Sequence, residues 1–148
     1  MREPLNDKKR LEHILEAIDR LQTHAGKLSR EELESDVLRY YGIVKNIEII
    51  GEAANLLTDS FKEKHPEVPW RAISGMRNFL VHEYFRVDCD TVWAVIHSEI
   101  VELKEHVSCY LSSIDWDTWE KSYHGLEGLS NPSNLWYSVL GRTGFSPV

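Results

Sequence analysis

Cysteine is scarce in this chain of 148 residues. Cys89 and Cys109 stand far apart and form no CxxC pair, so neither a disulfide framework nor a cysteine zinc site is indicated. The seven histidines show no HxxxH or HExxH spacing, which removes the usual helical metal motifs. We therefore expect two reduced thiols, no metal and no cofactor.

Long hydrophobic runs are also missing. No stretch approaches the 18 or so consecutive apolar residues of a membrane-spanning helix. Residues 1–20 carry charges throughout and lack the apolar centre of a signal peptide. These absences predict a cytoplasmic protein without a membrane partner.

Positive charge is in short supply, with 17 Lys and Arg against 24 Asp and Glu and a net charge of −7. Such a chain is not a general nucleic-acid binder, because phosphate affinity comes largely from clustered Lys and Arg. Residues 62–86 reverse this sign locally. If RNA is the ligand, the candidate contacts in this segment are Lys62, Lys64, Arg71 and Arg86.

What the sequence does contain is helical periodicity, while strand signals are weak. We predict a helix over 6–23, a long helix over about 35–58, a third helix after Pro69, and a last helix over about 89–111. Ser29 has capping-box spacing to Glu32, and Ser35 offers a second helix start. Residues 1–111 are therefore expected to form an all-α, antiparallel bundle of four to five helices.

Two features of the long helix can be interpreted further. Val37, Leu38 and Tyr41 begin its apolar face and are expected to point into the core. Gly51 lies within it at a cost of about 1 kcal/mol relative to Ala, which favours close packing against another helix. Residues 112–148 contain Trp, Gly, Ser and Pro without a helical period, so we expect an irregular extension and assign it no function.

The third helix leads into an eight-residue segment, 77–84, that holds polar groups of several kinds. Arg77 supplies a permanent cation suited to phosphate, and His82 can exchange a proton near neutral pH. Asn78 and Tyr84 add a carboxamide and a phenol. Arg77 and His82 lie roughly 140° apart on an ideal helix, so they can act together only near a helix end or in a cleft. Caps and satisfied core groups are the alternative explanation for such residues.

Residues 51–100 resemble the HepT branch of the HEPN superfamily. The marks are Gly51-Glu52-Ala53-Ala54, Pro66, Pro69-Trp70, Gly75-Met76-Arg77-Asn78, His82 and Tyr84, in that order. With its helical pattern the resemblance extends over about residues 5–111. Residues 112–148 depart from the family pattern.

The resemblance implies a homodimer in which two R-x4-H-x-Y motifs meet at a cleft. It implies a metal-independent endoribonuclease, the toxin of a type VII-like toxin–antitoxin pair. Arg77 would hold the scissile phosphate and His82 would move protons. Asn78 would orient phosphate or His82, or else cap a helix. An MNT-type nucleotidyltransferase antitoxin would neutralise the toxin by AMPylation of Tyr84.

Three further residues are secondary candidates. Glu52 lies in the family-like segment, although a capping or buried carboxylate is the commoner case. Lys45 and Arg39 would extend an RNA track, with a solvated helix face as the simpler interpretation. The alternative function is a non-catalytic HEPN partner or nucleotide-binding subunit of a nucleotidyltransferase.

Overall fold

The computed structural model describes residues 6–78 and 89–121, and within them every regular element is helical. The elements are α1 (Asp7–Ala25), α2 (Arg30–Ser35), α3 (Val37–Asn55), α4 (Asp59–Lys64), α5 (Trp70–Gly75), a 3₁₀ turn (Met76–Asn78), α6 (Cys89–Ala94), a π-helical segment (Val95–Glu99) and α7 (Ile100–Ser113). The predicted all-α class is confirmed.

The chain divides into two compact units, Met1–Ser113 and Ile114–Val148. The first unit contains the helices named above. In the second, residues 116–121 are helical and residues 122–148 lie outside the described part. None of the described helices is both long enough and apolar enough to cross a bilayer.

Side-chain caps decide where several helices begin. Asn6 Oδ1 accepts a hydrogen bond from Lys9 N at 2.9 Å at the start of α1. Ser29 and Glu32 form the predicted capping box at the start of α2. The expected helix start at Ser35 is wrong, because Ser35 ends α2 and the carboxylate of Asp36 caps α3 by accepting from the next turn.

The core of the first unit lies where α1 packs on α3 and α7. It is built from branched apolar side chains at helical spacing, among them Leu11, Ile14, Ile18, Ile47 and Ile100, each no more than 1% exposed. This is the pattern expected when amphipathic helices bury one face each.

The first turns of α3 do not follow the prediction. Val37, Leu38 and Tyr41 were expected to face the core, yet they are 60%, 87% and 45% exposed. α1 and α3 are antiparallel, and Arg20 Nη1 donates to Asn46 Oδ1 at 3.3 Å. At about 100° per residue, Leu38 and Tyr41 lie on the side of α3 that carries Lys45 and Glu52 and not on its buried side.

A buried carboxylate ties α1 to the end of α3. Asp7 is only 4% exposed and accepts hydrogen bonds from Thr58 N at 2.8 Å and Thr58 Oγ1 at 2.7 Å. Thr58 Oγ1 in turn accepts from Phe61 N and caps α4. The start of α1 is therefore anchored beside the last turn of α3.

An aromatic cluster holds the two-proline segment against α7. Phe61 is fully buried, and its ring lies 4.5 Å from His65, 6.0 Å from Trp70 and 5.7 Å from Tyr110, measured between centroids. Trp70 Nε1 donates to the His65 carbonyl at 2.9 Å. α5 and the 3₁₀ turn that follows it also pack on α3.

Candidate functional site

Gly51 allows the backbone before and at Arg77 to touch α3. A Cβ at Gly51 would lie 2.4 Å from Arg77 N, 2.9 Å from the Met76 carbonyl carbon and 3.0 Å from Ile73 O. Only a residue without a side chain fits so close to another backbone. The predicted close packing at Gly51 is confirmed, and its consequence is that the backbone of Arg77 is set directly against α3.

A cavity of about 310 Å³ opens beside Arg77, and we call it the cationic cavity. Its walls come from α1, α3 and the 3₁₀ turn. The lining residues are Arg10, His13, Lys45, Glu48, Ile49, Glu52, Ala53 and Arg77. Three permanent or near-permanent cations outnumber two carboxylates, so the cavity is positive in a chain that is acidic overall.

Two of the secondary candidates line this cavity. Lys45 and Glu52 are exposed on the face of α3 that also carries Glu48 and Ile49. The spacing of these residues at three and four positions puts them on one side of the helix. Arg39 instead pairs with Asp36 at 3.6 Å on the surface, as the solvated-face interpretation expects.

Glu48 and Ile49 of α3 are cavity residues that the sequence did not mark as candidates, and so are Arg10 and His13 of α1. The latter two stand three residues apart on α1, immediately beside the buried stripe that contains Leu11 and Ile14. The sequence signal that could have identified both residues is this position of a cation and an imidazole at the border of the buried stripe. The Nε of Arg10 is buried and has no hydrogen-bond partner among the residues the structure describes.

The other described candidates do not line the cationic cavity. Asn78 is exposed at the end of the 3₁₀ turn. Lys62 Nζ donates to the Asn55 carbonyl at 3.1 Å, while Lys64 and Arg71 are exposed on α4 and α5. Their roles as RNA contacts remain predictions.

His82, Tyr84 and Arg86 lie outside the described residues. Their roles as acid–base group, modification site and RNA contact stay as the sequence predicts them. Across 6–78 and 89–121 no group of three or more His, Cys, Asp or Glu is arranged to hold a metal ion.

A second cavity of about 290 Å³, the acidic cavity, lies between the two-proline segment, α5 and the last helices. Its charged or titratable lining residues are Glu67, Glu99, Glu102 and His106. The rest of the lining is apolar: Val68, Pro69, Ala72, Ile73, Met76, Ile100 and Leu103. It therefore combines a hydrophobic surface with negative charge.

A tyrosine–carboxylate hydrogen bond borders the acidic cavity. Tyr110 Oη donates to Glu67 Oε1, and His65 Nδ1 lies 3.5 Å from the same oxygen. The hydrogen bond lowers the pKa of Glu67. Burial, followed by the hydrogen bond to Glu67, raises the pKa of Tyr110. Both shifts favour the neutral phenol next to the ionised carboxylate at neutral pH.

The fold and the cavity together define an all-α helical bundle with a cationic site built around a motif arginine. A family model described as "Ribonuclease HepT-like" matches residues 14–109. The chain belongs to this HepT-like family of the HEPN superfamily, as the sequence marks predicted.

Three relatives match over most of their own length. The chain is 42% identical over 97 residues to "Putative RNase TTE0752" of Caldanaerobacter subterraneus subsp. tengcongensis, covering 66% of this chain and 87% of that protein. It is 36% identical over 94 residues to "Probable ribonuclease HepT" of Thermococcus cleftensis, covering 64% and 86%. It is 33% identical over 102 residues to "Putative RNase MJ1216" of Methanocaldococcus jannaschii, covering 69% and 84%. No solved structure matches the chain.

Proposed function

We propose that this protein is an endoribonuclease that cleaves RNA through attack of a ribose 2′-hydroxyl, without a metal ion. The observation that carries the proposal is the seating of Arg77 against Gly51, at the wall of a cationic cavity. Family membership and the names of the relatives support the same activity.

The chemistry assigns a separate task to each motif residue. Arg77 binds the scissile phosphate and stabilises the charge that develops on its oxygens. His82 acts as the general base that takes the 2′-hydroxyl proton, or as the acid that protonates the leaving 5′-oxygen. The 2′-oxygen forms a bond to phosphorus while the bond to the 5′-oxygen breaks. The products are a 2′,3′-cyclic phosphate and a 5′-hydroxyl.

Cleavage of a labelled RNA by the purified protein in excess EDTA tests this proposal. We expect Arg77→Ala to lower the cleavage rate by about a hundred-fold or more, the usual effect of removing a group that stabilises transition-state charge. His82→Ala is expected to be at least as severe. Arg20→Ala is the matched control, because Arg20 is exposed on α1, pairs with Glu16 and does not line the cavity.

The substrate provides a second control. A DNA of the same sequence lacks the 2′-hydroxyl and should remain intact. Activity that depends on added metal, or that survives both Arg77→Ala and His82→Ala, would refute the mechanism. Absence of cleavage by the unmodified protein would favour the alternative, a non-catalytic partner of a nucleotidyltransferase.

The regulatory part of the proposal is that the protein is a toxin paired with an MNT-type nucleotidyltransferase antitoxin. The phenol oxygen of Tyr84 attacks the α-phosphorus of ATP, pyrophosphate leaves, and the phenol proton goes to solvent. The added AMP places bulk and negative charge two residues from His82, which would exclude RNA sterically and compete for Arg77. The motif spacing supports this assignment.

Intact-mass measurement tests the modification. After incubation with ATP and the antitoxin, the protein should gain AMP, and the gain should vanish in Tyr84→Phe. Tyr41→Phe is the control, since Tyr41 is another exposed tyrosine of the same chain. A mass gain that persists in Tyr84→Phe would place the modification at a different residue.

We also propose a homodimer that brings two copies of the motif to one cleft. The exposed apolar side chains of Val37, Leu38 and Tyr41 are available to an interface, because large exposed apolar groups next to one another often mark contact surfaces. Light scattering of the purified protein measures the mass directly, and a monomeric mass at working concentration would contradict this part of the proposal.

A further inference from the structure

The side chain of Arg10 combines two features that rarely occur together. It lines the cationic cavity, and its Nε is buried with no hydrogen-bond partner in the described part of the chain. No ion pair joins it to a described carboxylate either. A buried N–H without a partner is unfavourable, so such groups are rare in proteins and call for a ligand or another explanation.

The position of Arg10 is held from two sides. Asp7, one turn earlier on α1, is anchored to Thr58 by two hydrogen bonds. Leu11, the next residue, is fully buried in the core. The backbone that carries Arg10 therefore has little freedom to withdraw from the cavity, which keeps its side chain at the cavity wall.

The charge of the cavity indicates the chemistry of that ligand. Arg10, Lys45 and Arg77 supply three positive charges, and Glu48 and Glu52 supply two negative ones, which leaves a net charge of +1 with His13 neutral. The positive sign suits a polyanion such as RNA, in which each phosphodiester carries a single negative charge at neutral pH and can be held by one guanidinium. The planar fork of a guanidinium also fits phosphate oxygens better than an ammonium does.

We propose that Arg10 binds a phosphate of the RNA strand that neighbours the scissile phosphate held by Arg77. The inference rests on the proposed ribonuclease function and adds a substrate-binding residue to it. The family match does not supply this residue, because Arg10 and His13 both precede the matched region 14–109. α1 thereby contributes one wall of the RNA site and the 3₁₀ turn another.

The competing explanation is structural. In that case Arg10 would stabilise the fold by pairing with Glu48 or Glu52 across the cavity. The two explanations predict opposite changes in melting temperature when Arg10 is replaced by methionine. Arg10→Met keeps the apolar stem and removes the buried N–H, so it should raise the melting temperature if the N–H lacks a partner, and lower it if an ion pair is lost.

The binding test uses the His82→Ala protein and a fluorescein-labelled single-stranded RNA of mixed sequence. Fluorescence anisotropy gives the Kd over roughly 50 to 200 mM salt, a range in which phosphate contacts dominate the salt dependence. Arg10→Met, Arg10→Lys and the matched control Arg20→Met are measured in the same His82→Ala background. Arg20 lies on the same helix but outside the cavity.

We expect Arg10→Met to weaken RNA binding by about tenfold at the lowest salt and to make the slope of log Kd against log salt shallower by about 0.7, the value for one lost phosphate contact on a single strand. Arg10→Lys should keep the slope because it keeps the charge, and Arg20→Met should change neither quantity. Unchanged affinity and slope in Arg10→Met would overturn the inference. A lower melting temperature in that variant with unchanged binding would assign Arg10 a structural role.

The outcomes separate this inference from the proposed function. Cleavage that requires Arg77 and His82, together with binding that is insensitive to Arg10, would leave the ribonuclease proposal standing and remove the second phosphate contact. Absence of cleavage together with an Arg10-dependent salt slope would keep the phosphate contact and remove the ribonuclease. If Arg10→Met does not fold, Arg10→Gln takes its place, and an unchanged affinity and slope in that variant contradict the inference.

Discussion

The two cavities of the first unit are nearly equal in volume, about 310 Å³ and 290 Å³, but they are opposite in character. The cationic cavity is lined by Arg10, Lys45 and Arg77 with two carboxylates, whereas the acidic cavity has three glutamates around an apolar surface. A polyanion is attracted to the first and repelled from the second. The two cavities cannot be distinguished by volume, but they differ in the charge of their lining residues.

The cavities also differ in how they are held open. The cationic cavity depends on a backbone contact at Gly51 and on the anchoring of α1 by Asp7. The acidic cavity is bordered by an aromatic cluster and by the hydrogen bond of Tyr110 to Glu67. Side-chain substitutions at one cavity should therefore leave the other intact, and the following predictions test this separation. Gly51 is the exception, because its backbone neighbours Ile73 and Met76 also line the acidic cavity.

The largest effect is expected at Gly51. Gly51→Ala introduces a Cβ that must push the backbone of Arg77 away from α3, at a cost of about 1–3 kcal/mol in the free energy of unfolding. Displacement of Arg77 should also lower kcat/KM for RNA by about a hundred-fold. Denaturant unfolding and cleavage kinetics measure the two effects.

Gly42→Ala is the matched control on the same helix. A Cβ there meets no atom within 4 Å, so the substitution should stabilise α3 by about 1 kcal/mol and leave cleavage unchanged. Equal losses in both variants would remove the special role of the Gly51 contact.

A smaller effect should follow from neutralising one charge in each cavity. Lys45→Gln removes a cation of the cationic cavity and should make the salt dependence of RNA binding shallower by about 0.7. Glu102→Gln removes a carboxylate of the acidic cavity and should leave that slope unchanged. Anisotropy titrations of both variants give the comparison, and a steeper or shallower slope for Glu102→Gln would indicate that RNA also approaches the acidic cavity.

The smallest effect concerns stability against pH at the acidic cavity. Tyr110→Phe keeps the ring contacts but removes the hydrogen bond that is the main cause of the lowered pKa of Glu67. A carboxylate with a lowered pKa stabilises the fold fully above its ordinary value of 4.5 and loses this contribution as pH falls through the lowered value. The variant should therefore melt a few degrees lower near neutral pH.

The difference in melting temperature should shrink as the solution is made more acidic than the ordinary pKa of glutamate. Thermal melts followed by circular dichroism over this range provide the measurement. RNA cleavage at neutral pH should not change in Tyr110→Phe. A difference that grows in acid would contradict the assigned direction of the Glu67 shift.

Part of the fold could be predicted from the sequence because it depends on local patterns. The apolar stripe of α1, the capping box at Ser29 and the break at the two prolines are all properties of a few neighbouring residues. Gly51 also predicted a close contact, because a glycine inside a helix is unfavourable relative to alanine unless another element packs too close for a side chain. The partner in that contact, the backbone at Arg77, depends on tertiary packing and was not visible in the sequence.

The remaining features of the fold and the site depend on tertiary packing, which decides which side of each helix is buried and which elements are in contact. Leu38 and Tyr41 fit the apolar pattern of α3, but they lie on the side of the helix that carries Lys45 and Glu52 and remain exposed. One continuous helix was expected over 89–111, yet residues Val95–Glu99 form a π-helical turn, a change in hydrogen bonding that leaves little trace in periodicity. Arg10 and His13 line the candidate site only because α1 packs on α3.

The hydrogen bonds between Asp7 and Thr58 also set an order of events during synthesis. They join residues 51 positions apart, so α1 cannot be anchored until the end of α3 has left the ribosome. The cationic cavity further requires the 3₁₀ turn that carries Arg77, which emerges later still. Because this long loop must close before its contacts stabilise the fold, the hydrogen bonds that anchor α1 can form only after that point. The wall of the cationic cavity that α1 supplies is therefore synthesised first, but it is anchored only after the later elements have followed.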